Sequence, residues 1–157
     1  MPRVSRTIDV AVAPAELYAV IVDFPRYPEF LGNVRSATPL LTAGTDDWTV
    51  VFGIEVIRHL HYTLRLWRLP ERDDGAIVVR WSLVEGQAFR ANEGSWTLVP
   101  TPAGEDGRVG TRATYELAID LAMFLPTSLA TTLAGTSLGE MLEAFRARAE
   151  GSSRPVP

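Results

Sequence analysis

The two histidines of this 157-residue chain stand two apart, in His59-Leu60-His61. Residues i and i+2 of a strand share a face. The two imidazoles would therefore lie side by side, as in some β-sheet metal sites. Gly53, followed after five residues by His59-x-His61, also matches the opening of a metal motif that continues, three or four residues on, with a Glu. Arg65 and Leu66 stand there instead, and the chain has no third histidine. The pair therefore reads as partly exposed or hydrogen-bonded structural histidines, and no metal is expected.

Other groups that could carry chemistry are few. Tyr62, His61, Arg65 and Tyr115 are the side chains available for acid/base work. Arg65, Arg80 and Arg112 alternate with apolar neighbours, which reads as a solvated outer face paired across strands to groups such as Glu116. The alternative is an arginine at a cavity floor, gripping a carbonyl or a head group.

Composition removes several classes. All 15 basic residues are Arg. Without Lys there is no Schiff-base chemistry and no P-loop lysine. Without Cys there is no thiolate nucleophile, disulfide or thiolate metal site. Net charge is −4 with no basic cluster, so nucleic acid is not an expected partner. No cofactor is expected. No apolar run approaches the roughly 18 residues of a membrane span, so no stable membrane insertion is expected. The first residues lack the apolar stretch of a secretory signal, which makes the cytoplasm the expected compartment.

The elements that must position these groups follow from periodicity. Period-two alternation predicts strands over 3–12, 33–42 (weakly), 47–56, 59–69, 76–84, 91–99 and 108–119. On the fourth of these, Leu60, Tyr62, Leu64 and Leu66 share one face, and His59, His61, Thr63, Arg65 and Trp67 the other. Leu17, Val20, Ile21 and Phe24 make a short amphipathic helix after Pro14, ended by Pro25. Leucines from Leu125 to Leu142, with Met141 and Phe145, predict a long helix from about Pro126 to Glu150, followed by a disordered tail, 151–157. Strands joined by short turns imply an antiparallel meander. One long helix must cover its apolar face, and a single helix on a curved sheet tends to leave a cavity, the default ligand site.

Four segments carry a resemblance. APAELYAVIVDFPRYPEFLGNVRSA holds an opening helix and an Asp-x-x-x-Tyr-Pro-x-Phe segment; LVEGQAFRANEGSWTLVP holds a Gly-x-x-Phe followed by a Gly-x-Trp; TRATYELAIDL and EMLEAFRARAE read as a final strand and a final helix. Together they resemble the START-like helix-grip superfamily over residues 5–150, including polyketide cyclases/dehydrases and lipid-transfer proteins. The ubiquinone-binding and ribosome-associated-toxin-like branch is the most similar. The resemblance implies an α+β single domain over 1–150, with a curved antiparallel sheet of about seven strands wrapped around a long C-terminal helix. It also implies a hydrophobic small-molecule ligand: a lipid, an isoprenoid quinone or an aromatic polyketide. No matched segment is a catalytic signature.

The expected ligand-contacting residues are Phe24, Tyr27, Phe30, Tyr62, Leu64, Trp81, Trp96, Tyr115, Leu117, Leu129 and Leu133, with Phe89 added by the resemblance. For Phe24, Tyr27 and Phe30 the alternative is a rigid plug closing one end of the fold, since Pro25 and Pro28 preset a turn there. Three functions stay open: binding or carrying an apolar ligand, polyketide cyclisation or dehydration, and a ribosome-associated-toxin-like interaction role. The acidic balance weighs against the last.

Overall fold

The computed structural model describes residues 3–40, 46–55, 59–86, 88–103, 107–122 and 136–152. The period-two stretches become β1 (Arg3–Val10), β2 (Val34–Pro39), β3 (Asp47–Glu55), β4 (His59–Arg68), β5 (Ile77–Gly86), β6 (Phe89–Thr101) and β7 (Gly110–Leu121). They form a seven-stranded sheet in the order β1-β7-β6-β5-β4-β3-β2, antiparallel throughout. From β2 to β7 the sheet follows chain order, since a short turn can join only antiparallel neighbours.

Register slips at three places: Val34/Ser36, Thr63/Leu64 and Phe89/Ala91. Each bulge bends its strand and adds twist, so the sheet curves. Its inner face carries Val50, Phe52, Leu64, Leu66, Ile77, Val79, Trp81, Trp96, Leu98 and Ala113, all buried.

Pro14 stands in the first turn of α1 (Pro14–Ile21), which buries Leu17 and Ile21. Phe24 was expected to close this helix. It instead begins a separate 3-10 turn, Phe24–Glu29, yet is as buried as a helical position would have made it. The long helix is described as α2 (Thr136–Ser152); residues 126–135 of its expected span lie outside the described residues. It also runs past Glu150, so Gly151 and Ser152, expected in the tail, are helical. A glycine costs a helix only about 1 kcal/mol, and the next residue that must break it is Pro155.

α2 buries Leu138, Leu142, Phe145 and Ala149, at steps of four, three and four along one stripe. Phe145 is the centre of this contact. Its ring meets Tyr27 at 5.5 Å, Phe30 at 5.2 Å and Trp96 at 5.2 Å between centroids, each edge to face. One side chain thus ties the helix to the 3-10 turn and to β6. We expect Phe145→Ala to cost about 3–5 kcal/mol of unfolding free energy, as for other buried phenylalanines. Urea unfolding measures it, and a loss below about 1 kcal/mol would contradict this role.

Candidate functional site

Strand alternation divides the chemistry between two faces. On β4, Tyr62 and Leu64 point inward, while His61 and Arg65 are exposed on the outer face. The grouping of Tyr62, Tyr115, His61 and Arg65 as one acid/base set is therefore split by the sheet itself. Arg65 is occupied on the outside, donating from Nη2 to Asp47 at 2.9 Å and lying over Trp67 at 5.1 Å. Arg112 likewise pairs outside with Asp9.

The inner face is aromatic. Tyr115 lies 5.2 Å from Trp81 and 4.9 Å from Trp96 between ring centroids. Trp81 donates from Nε1 to Asn92 Oδ1 at 3.2 Å. Gly94 makes room for that indole: a Cβ there would stand 2.4 Å from its ring and 2.3 Å from the Glu116 carbonyl oxygen. Nearer β3, Tyr62 stacks on Phe52 at 5.3 Å, and Phe89 meets Tyr62 edge-on at 5.0 Å.

The expected contact residues separate by burial. Phe24, Tyr27, Leu64, Trp81 and Trp96 are packed into the core. Tyr27 is further tied down, its hydroxyl donating to the Ile21 carbonyl. Phe24 and Tyr27 thus pack as core side chains. Phe30, Tyr62, Phe89, Tyr115 and Leu117 keep accessible surface. Leu129 and Leu133 lie outside the described residues.

Tyr62 and Tyr115 have a further property. Among the described residues neither hydroxyl has a hydrogen-bond partner, and no side-chain nitrogen or oxygen is both buried and unpartnered. Neither hydroxyl is therefore completely sealed. Yet burial drives both phenols well above the usual tyrosine range, with Tyr62 adding to the shift of Tyr115. Protonated at neutral pH, they are hydrogen-bond donors.

Register places every Asp and Glu of the described strands on the outer face, along with both histidines. The inner face thus lacks a general base among the described strand residues. Among the described strand residues it does carry two cations that sequence reasoning passed over, Arg68, which is paired with Val79 and lies over the Tyr18 ring, and Arg6. Arg6 lies between Val4 and Ile8 on the apolar face of β1, opposite Tyr115. Its Nη1 is 3.7 Å from where a Cβ on Gly139 of α2 would be. The spacing Val4-x-Arg6-x-Ile8 was the available signal.

Two recesses open outside this face. One of about 420 Å3 is framed by Glu16, Val20, Asp23, Phe30 and Arg148, between α1 and α2. The other, about 540 Å3, is lined by Asp46, Asp47, Arg65, Trp67 and Arg68.

A family model described as polyketide cyclase/dehydrase and lipid transport matches residues 10–146. The chain belongs to this family. No curated protein matches it. Among solved structures, a START superfamily protein from Mycobacterium smegmatis superposes with a TM-score of 0.77 at 19% identity, covering 96% of this chain and 99% of that one. The Zhui aromatase/cyclase from Streptomyces sp. R1128 superposes at 0.76 with 17% identity, covering 98% and 96%. A STAR-related lipid transfer protein fragment from Xanthomonas axonopodis superposes at 0.76 with 21% identity, covering 94% and 85%. At these identities the likeness is one of fold. As a family member, the chain has the START-like helix-grip architecture that its sequence resembled. No helix among the described residues is long and apolar enough to cross a membrane.

All four tyrosines of this family member have raised pKa values, Tyr18 to about 12 through burial and its hydrogen bond to Asp46. A folded pKa raised above the unfolded value of 10.0 gives stability that is complete below pH 10 and lost as pH rises through the folded values. With no Lys or Cys in the chain, tyrosine is the side chain that titrates in this range. Unfolding free energy should hold up to about pH 10 and then fall. The fall should be shallower in Tyr62→Phe/Tyr115→Phe; an unchanged slope would remove these phenols from the account.

Proposed function

We propose that this protein binds or carries an apolar small molecule, of the lipid, isoprenoid quinone or aromatic polyketide class, between the inner face of the sheet and α2. The observation that carries this reading is the pair of unpartnered, poorly hydrated hydroxyls, Tyr62 and Tyr115, set among Phe89, Trp81 and Leu117. Aromatic walls supply apolar area and stacking, and two phenol donors fix the orientation of an oxygen-bearing ligand. Arg6 at the β1 rim adds a cation for a carbonyl or acidic head group.

Cyclisation or dehydration of a poly-β-ketone is the second reading, favoured by the same two phenols acting as acids on a carbonyl oxygen. Such a reaction also needs a proton acceptor. The described inner-face strand residues offer none, so binding without turnover is preferred. Both readings fall within the family's range, which spans cyclases, dehydrases and lipid transport.

Native mass spectrometry of gently purified protein, followed by organic extraction, should reveal a retained apolar molecule. Titration with a short-chain quinone should quench the fluorescence of Trp81 and Trp96. Each of Tyr62→Phe and Tyr115→Phe should weaken that binding about two- to twelvefold, the effect of losing one hydrogen bond of about 0.5–1.5 kcal/mol. A protein that neither retains nor binds any apolar probe would sink the reading. Turnover of a model polyketide that drops in both variants would move it to the cyclase alternative.

A further inference from the structure

We propose that His59 and His61 form a chelating site for a late first-row divalent transition metal, Ni(II), Cu(II) or Zn(II), on the outer face of the sheet. The two rings stand side by side on β4, both exposed, with their Nε2 atoms 3.2 Å apart. Two imidazole nitrogens bound to one ion at about 2.0–2.1 Å lie about 3.3 Å apart in tetrahedral geometry and about 2.9 Å apart at a right angle. The observed separation falls between these values. Small rotations of the two rings would therefore suit either geometry.

The floor of the site is shaped to leave this space open. Gly53 is the register partner of His61 on β3, and Ser36 is its partner on β2. A Cβ on Gly53 would stand 2.5 Å from Ser36 Oγ, 3.3 Å from His61 Nε2 and 3.4 Å from His59 Nε2. Two imidazole nitrogens and a hydroxyl, from two different strands, thus converge over a third strand at a point that a Cβ on Gly53 would crowd. A Gly in the middle of a strand costs stability, and here it removes the side chain that would fill the site.

Glu55 lies opposite His59 but is held by Arg35, which donates from Nε at 2.8 Å. Among the described residues no group of three or more His, Cys, Asp or Glu closes around an ion. The site is therefore an open one: two protein nitrogens, with the remaining positions left to water or an added ligand. Ser36 is placed to hydrogen-bond a coordinated water. Imidazoles without thiolates favour nickel, copper and zinc over calcium or magnesium. The sequence argument against a metal rested on a missing third ligand, and a two-nitrogen chelate does not need one. The site lies across the sheet from Tyr62 and Tyr115, so it is independent of the apolar site.

Titration of the untagged full chain with Ni(II) or Zn(II) by calorimetry should give one ion per chain. His59→Ala/His61→Ala, which alters only exposed side chains, should lose that binding while keeping its circular dichroism and its quinone titration. Gly53→Ala should weaken binding with both histidines in place. The electron paramagnetic resonance spectrum of the wild-type chain loaded with Cu(II) should show coupling to two imidazole nitrogens, which reads the ligands without any substitution. Wild-type protein that binds no ion, a double variant that binds as the wild type does, or a copper spectrum without imidazole coupling would each overturn the proposal.

Discussion

The fold depends on how one narrow helix is fastened to a wide sheet. Phe145 is one such fastening, by edge-to-face contact with Tyr27 and Phe30 on one side and Trp96 on the other. Such contacts add to the apolar area they bury. They also fix where the coverage stops. Phe145 covers Trp96, which is sealed, as are Leu98 and Val79 on the same face. Away from it, Tyr62, Leu83, Tyr115 and Leu117 are only partly covered. The incomplete coverage and the candidate site are two consequences of the same geometry.

The second constraint is the strict alternation of the strands. β4 sends Tyr62 into the aromatic layer and His61 to the opposite surface, one residue apart. Nothing in the local composition could blend those two environments. The outer face gathers the charges, in pairs such as Arg65–Asp47, Arg112–Asp9 and Arg35–Glu55. Exposed pairs of this kind contribute little stability each. They do keep the face polar. Both edges of this open sheet carry devices that discourage further pairing: Arg3 and Arg6 on β1, and a bulge with a closing Pro39 on β2.

Much of the fold could be read from the chain. The alternation of Trp48, Val50, Phe52 and Ile54, and the step pattern of Leu138, Leu142 and Phe145, arise from backbone geometry that any strand or helix imposes. Strand ends were less legible. β6 starts at Phe89, two residues before the sequence pattern does. Its first stretch carries a bulge, so alternation breaks there although the pairing continues. The early end of α1 at Ile21 was likewise invisible, because Phe24 keeps the helical spacing of its burial while belonging to a different turn.

The sequence by itself determined the identity of the layers: which residues are apolar, on which face, and in what order along the chain. The segments it shares with its family reflect that pattern. Only the tertiary structure decided which aromatic residues are sealed and which stay reachable, since that depends on how α1, the 3-10 turn and α2 lie across seven strands. It also decided that Arg6 stands opposite Tyr115, and that His59, His61 and Ser36 meet over Gly53. Those are contacts between residues distant in the chain or on separate strands. Register and sheet curvature fix them, and neither is written in the spacing of any single segment.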